Sequence, residues 1–95
     1  MKIHTKVYLY YFGYGEQDNI LCEIPGCADA GVDIHHVEPK GMGGRKTYML
    51  NGKECDINAI ENLIALCRKD HEKAHAGIYS KEYLRSVHKQ TMENR

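Results

Sequence analysis

Val32-Asp33-Ile34-His35-His36-Val37 is the stretch that decides the expected fold. Its valines and isoleucine are β-branched and Pro39 follows them, so we predict a strand over residues 32–37. Residues 62–67, Asn-Leu-Ile-Ala-Leu-Cys, form a second short apolar run that has the length of a buried strand. We expect these two strands to pair with each other.

Two helices are predicted after the second strand. Residues 69–76 contain no Gly or Pro, and Gly77 would end a helix there. Ser80 precedes a periodic segment that predicts a capped final helix over about residues 80–92. Four residues would line the inner face of this helix: Tyr83, Leu84, Val87 and Thr91.

The N-terminal and central segments are less distinctive. Residues 5–12 are apolar and aromatic, which suits a strand as well as a helix, and we favour a helix capped by Thr5. Residues 41–56 contain Gly41, Gly43, Gly44 and an Asn51-Gly52 turn, and they are predicted to form a long loop. Together these elements predict one α+β domain that occupies residues 1–95.

The chain carries 13 basic and 13 acidic residues, so its formal net charge is zero. This balance argues against a strongly basic nucleic-acid-binding surface, although a bound divalent metal would add positive charge. No segment approaches the roughly 20 apolar residues that span a membrane, and no signal-peptide core is present. We therefore expect a cytosolic protein without a membrane partner, in which cysteines are typically thiols or metal ligands.

Two histidines are placed to share a metal ion. His71 and His75 are four residues apart on the predicted helix, so both project from one face and can bind one transition metal. The alternative is a charged, solvated helix face.

The adjacent pair His35 and His36 should point to opposite faces of the first strand. One imidazole can complete a metal site while the other accepts a proton from water, since its pKa is near neutrality. The alternative is one buried and one exposed histidine. Asn62 can fix a histidine tautomer or a loop carbonyl, or it is a turn residue.

Three cysteines have the spacing of a structural zinc site. Cys22 and Cys27 flank a Pro-Gly turn, and Cys67 is the last residue of the second predicted strand. Two residues remain open as the fourth ligand: Asp70, three residues after Cys67, and Cys55. The alternative is that the cysteines are free and buried.

Taken together, these segments resemble the HNH endonuclease family, also called the His-Me finger or ββα-metal nucleases. The likeness is greatest to the small free-standing members from bacteria and their phages. It covers residues 22–76 and lies in Asp33-Ile-His-His-Val37, Gly43-Gly44, Glu61-Asn-Leu-Ile-Ala-Leu-Cys67 and Asp70-His-Glu-Lys-Ala-His75. The resemblance implies a two-stranded antiparallel hairpin and a metal-binding helix, with a zinc knuckle and flanking helices.

The resemblance also implies a role for each site residue. His36 matches the general base, and Asn62 matches the middle Asn of the family name. The catalytic metal ligands would be His35, His71 and His75, and the zinc knuckle would use Cys22, Cys27 and Cys67. Asp70 stands where many members have the fourth cysteine.

The implied activity is metal-dependent hydrolysis of DNA, with RNA equally compatible with the residues. Three imidazoles favour Zn, Ni, Co or Mn, whereas many members with Asp in place of His35 use Mg. Lys40, Arg45 and Lys46 would bind phosphates, or they lie in a solvated loop. The alternative function is a non-catalytic, zinc-stabilised nucleic-acid-binding module.

Overall fold

The computed structural model describes residues 2–15, 18–27, 29–30, 33–41 and 43–94. Within these ranges the chain forms three α-helices and two antiparallel hairpins, which confirms the predicted α+β class. The elements are α1 (Ile3–Phe12), β1 (Asp33–His36), β2 (Thr47–Leu50), β3 (Lys53–Asp56), β4 (Leu63–Leu66), α2 (Arg68–His75) and α3 (Lys81–Asn94), with a short 3-10 helix (Ile60–Asn62) before β4. Val32, predicted as the first strand residue, lies outside the described ranges.

The centre of the fold is the antiparallel pair of β1 and β4, in which His35 is opposite Ile64 and His36 is opposite Leu63. All four β4 side chains are fully buried. Leu63 and Ala65 pack against Tyr8 of α1. Ile64 and Leu66 face the opposite side of β4, where they pack in one cluster with Leu84 and Val87 of α3. Burial on both faces explains the uninterrupted apolar sequence of this strand.

Residues 41–56 are not the long loop that the sequence predicts. Their second part forms the hairpin of β2 and β3, joined by Asn51 and Gly52 with φ angles of 52° and 79°. These left-handed conformations belong to the tight turns that favour Asn-Gly in hairpins. Tyr48 anchors the hairpin, because its side chain is only 4% exposed. Because β3 is mostly polar and exposed, its sequence did not indicate a strand.

The helix ends also differ from expectation. Helix α1 begins at Ile3 rather than at Thr5, and its N-cap, Lys2, makes no side-chain capping bond. In α3 the buried residues are Leu84, Val87, His88 and Thr91, whereas Tyr83 is 39% exposed. Among the described residues, no helix combines the length and the apolar character that crossing a membrane requires.

His88 is buried because a carboxylate and a carbonyl accept its two N–H groups. Its Nδ1 donates to Glu23 Oε1 at 2.8 Å, and its Nε2 donates to the Ile60 carbonyl at 2.7 Å. Both ring nitrogens face oxygen atoms, so the imidazolium form places each of its two N–H groups on an acceptor. Glu23 Oε2 also accepts from the hydroxyl of Tyr8 at 2.7 Å and from the amide of Ala65 at 2.9 Å. This buried ion pair therefore joins α1, β4 and α3.

His88→Leu is expected to lower the free energy of unfolding by about 3–5 kcal/mol, because it leaves the Glu23 carboxylate buried without its counter-charge. Urea unfolding followed by circular dichroism measures the change. Gln90→Leu is the matched control, since Gln90 is exposed on the same helix. A loss no larger than that of the control would contradict a charged pair.

Candidate functional site

Two clusters of side chains that could hold a metal ion lie beside the β1–β4 hairpin. The first consists of Cys22, Cys27, Cys67 and Asp70, whose ligand atoms lie within 4.8 Å of one another. The Sγ atoms of Cys27 and Cys67 are 3.7 Å apart. Asp70 Oδ2 accepts from the thiols of Cys22 and Cys67 at 3.3 and 3.2 Å. Asp70 is thus the fourth member of a group whose ligand atoms lie close together.

Local backbone structure brings these residues together. The Pro25-Gly26 turn folds Cys27 back, with its amide bonded to the Ile24 carbonyl at 3.1 Å and Gly26 at a φ of 82°. Cys67 is the N-cap of α2, and Asp70 lies in the first turn of that helix. The cluster therefore fixes the 22–27 turn to the beginning of α2.

The electrostatics of the thiol cluster fit a bound cation. Burial raises the pKa of the Cys22 thiol to about 12 and raises that of Cys67. Burial would also raise the pKa of Asp70, but hydrogen bonds from Cys67, Cys22 and Tyr79 outweigh it and hold the value below the ordinary one. Thiolates in this pocket need a positive charge beside them, and three sulfur donors with one carboxylate suit zinc.

Tyr79 contacts the thiol cluster through Asp70, and the sequence did not indicate this contact. Its hydroxyl donates to Asp70 Oδ1 at 3.0 Å, while Oδ2 of the same carboxylate faces the thiols. Burial, followed by this bond to Asp70, raises the pKa of Tyr79 to about 12. Cys55 lies instead in β3, where its thiol approaches the Lys53 carbonyl at 3.8 Å. Of the two residues left open by the sequence, the fold brings Asp70 to the three thiols.

The second cluster consists of His35, His71 and His75, whose ligand nitrogens also lie within 4.8 Å of one another. Strand β1 supplies His35, and α2 supplies the other two from one face, with their Nε2 atoms 3.0 Å apart. Burial, with smaller effects from His71 and His75, lowers the pKa of His35 to about 4. Neutral imidazole is the form that binds a metal, and three nitrogen donors suit a transition metal with an open position.

Asp33 orients one of these imidazoles. Its Oδ2 lies 3.0 Å from His71 Nδ1, so that nitrogen carries the proton and His71 Nε2 is free to face the cluster. We did not select Asp33 from the sequence. The signal was present, because Asp33 and His35 are two residues apart in a strand and share a face.

His36 extends away from the metal cluster and is held by Asn58. Its Nε2 lies 2.9 Å from Asn58 Oδ1, an atom that only accepts, so Nε2 carries a proton and the neutral form of the ring has its lone pair on Nδ1. The ring of His4 lies beside it, with a centroid separation of 4.5 Å. Burial, followed by the charges of His36 and Lys40, lowers the pKa of His4 to about 4.

Asn62 and His36 are both described residues, and the side chain of Asn62 forms no hydrogen bond with His36. It is fully buried, and its Oδ1 accepts from the Glu38 amide at 2.7 Å. Its Nδ2 donates to the carbonyls of Glu38 and Ile57 at 3.0 and 2.9 Å. Of the roles left open by the sequence, Asn62 therefore fixes loop carbonyls. Asn58, which lies in a loop whose path the sequence did not predict, takes the position beside His36.

The three-histidine cluster and the pair of His36 and His4 border one open groove of about 570 Å³. Its walls include His35, His36, His71 and His75, together with His4 and Lys40. The two adjacent histidines of β1 thus contact different elements, α2 and α1, and still face a common space. Sequence reasoning missed His4, because only the packing of α1 against β1 brings it to the groove.

The three cations expected to bind phosphate are not equivalent. Lys40, Arg45 and Lys46 all border a neighbouring cavity of about 330 Å³, and Lys40 borders the histidine groove as well. Arg45 forms an ion pair with Glu38, and its Nε donates to the Pro39 carbonyl at 3.1 Å. Part of the donor capacity of Arg45 is therefore engaged by the protein, which its position in the sequence did not indicate.

No protein-family model, curated protein or solved structure matches this chain. A function is therefore inferred from the geometry of the two clusters and from the residue pattern.

Proposed function

We propose that this protein is a nuclease of the HNH type that uses a divalent metal to hydrolyse DNA phosphodiester bonds. One observation carries the proposal: the imidazole of His36, held at Nε2 by Asn58, and the three imidazoles of His35, His71 and His75 border the same groove. A base and a cation beside one phosphate are what this hydrolysis needs.

The chain supplies distinct groups for each task. A divalent ion on the imidazole cluster would stabilise the charge that develops on the phosphate and on the leaving 3′ oxygen. His36 Nδ1 takes a proton from the attacking water, whose oxygen bonds to phosphorus as the P–O3′ bond breaks. The departing 3′ oxygen takes a proton from solvent, and the products are a 3′ hydroxyl and a 5′ phosphate. Asn58 Oδ1 continues to accept the Nε2–H and stabilises the resulting imidazolium. Lys40, at the edge of the groove, attracts the phosphate backbone.

The thiol cluster has a structural role in this proposal. A zinc ion on Cys22, Cys27, Cys67 and Asp70 would fix the first turn of α2, and α2 carries His71 and His75. The metal that stabilises the fold is then distinct from the metal that takes part in hydrolysis.

The alternative, a zinc-stabilised nucleic-acid-binding module, predicts a different metal content. It requires only the closed four-ligand site, whereas a nuclease also needs the three-histidine site with an open position. Metal analysis of the purified chain, before and after equilibration with a second divalent ion, distinguishes the two. A content limited to one ion per chain under all conditions favours the module.

Plasmid cleavage tests the activity directly. Supercoiled DNA is incubated with the zinc-loaded protein and with Zn, Ni, Co, Mn or Mg in separate reactions, and nicked or linear product is expected with at least one. Structured RNA is the parallel substrate, since the residues do not select the sugar. Intact DNA with every ion would contradict the proposal.

Asp33→Ala is expected to weaken binding of the second metal by about 10- to 100-fold, because His71 loses the acceptor that fixes its tautomer. His71→Ala should weaken it more, since a ligand is removed. Competition with a chromogenic chelator measures both affinities. Glu54→Ala, a change of an exposed acid in β3, is the control. Unchanged affinity in both test variants would contradict the ligand assignment.

A further inference from the structure

Three cationic side chains converge on the carboxylate of Glu38. Lys81 Nζ lies 3.2 Å from Oε1 and 3.1 Å from Oε2, and the Arg85 guanidinium lies 3.5 Å from Oε2. Arg45 forms the third ion pair, with Oε1. We call these four residues, Glu38, Arg45, Lys81 and Arg85, the Glu38 cluster.

The Glu38 cluster has an excess of positive charge. One carboxylate is placed against three cations, and the hydrogen bonds from Lys81 and Arg45 outweigh burial and hold the pKa of Glu38 below its ordinary value. The side chains of Arg45 and Lys81 are 46% and 50% exposed, so part of their donor capacity faces solvent. Since the whole chain has no net charge, this surface concentrates positive charge in one place.

The Glu38 cluster is also continuous with the histidine groove. Lys40 borders both that groove and the cavity that contains Arg45 and Lys46. The same cavity includes Asn58, the residue bonded to His36. A strand with its scissile phosphate at His36 would therefore extend past Lys40 into the cavity that Arg45 borders, and Arg45 shares Glu38 with Lys81 at the beginning of α3.

We propose that the Glu38 cluster binds a backbone phosphate of the nucleic acid, at a distance from the scissile bond, with Arg45 and Lys81 as the donors. This inference rests on the proposed function, because it requires the substrate strand to lie in the histidine groove. The phosphate competes with Glu38 for the outward-facing donors. Such a contact positions the strand and carries no sequence information.

Lys81→Gln tests the contact. In a zinc-loaded His36→Ala background, which keeps the DNA intact, binding of a short labelled duplex is measured by fluorescence anisotropy over a range of salt concentrations. Loss of one phosphate contact should reduce the slope of log K against log salt by about 1. One unit of slope corresponds to about tenfold weaker binding near 0.1 M salt. Glu38→Gln removes the competing carboxylate and should tighten binding several-fold.

Lys89→Gln is the matched control, because it removes the same charge from the same helix at a residue that is not a member of the Glu38 cluster, although Arg85 borders the same groove. Thermal melts establish that each variant is folded. If the parent protein binds and cleaves DNA while Lys81→Gln and Lys89→Gln behave alike, the inference fails and the proposed function stands. If the parent neither binds nor cleaves DNA, both fail.

Discussion

Replacing His36 by alanine is expected to lower the rate of DNA cleavage by roughly two to four orders of magnitude, the usual contribution of a general base. His36 is held by Asn58 and is not a member of the three-histidine cluster. The variant should therefore fold and retain both metals. Single-turnover cleavage at saturating protein isolates this effect from DNA binding, and metal analysis of the same sample verifies the sites.

Variants of Asn58 test whether the hydrogen bond that this residue accepts from His36 contributes to the cleavage rate. Asn58→Leu should reduce the rate about tenfold, since one hydrogen bond of roughly 1.4 kcal/mol no longer fixes the ring. Asn58→Asp should retain most of the activity, because a carboxylate also accepts the Nε2–H. A His36→Ala variant that cuts at the parental rate would show that another group activates the water.

Removal of metal from the thiol cluster is expected to unfold the domain. A 95-residue chain buries a small core, and a structural zinc site in such a chain supplies much of its folding free energy. Cys22→Ser should have the same effect, because Cys22 lies in the turn that the cluster fixes to α2. A strong chelator should lower the melting temperature of the parent protein, and added zinc should restore it.

Cys55→Ser is the control for the thiol cluster. Cys55 is a cysteine of the β2–β3 hairpin and is not a member of the four-residue group, so its replacement should leave the melting temperature nearly unchanged. Asp70→Ala should destabilise the domain almost as much as Cys22→Ser. The assignment would be overturned by a protein that binds no zinc and melts at the same temperature with and without chelator.

The sequence alone determined the features that depend on neighbours along the chain. The spacing of His71 and His75 placed both on one helix face, and the apolar run before Cys67 became β4. The Pro25-Gly26 turn brought Cys22 and Cys27 together. Such patterns are readable because helix, strand and turn geometry is fixed over a few residues.

Only the tertiary structure decided which distant residues become partners. Asn58, rather than Asn62, holds His36 from 22 residues away, and Glu23 meets His88 across 65 residues. The hairpin at residues 47–56 likewise depends on burial of Tyr48. Packing of the whole fold brings these atoms together, so the local periodicity of the sequence does not predict the contacts.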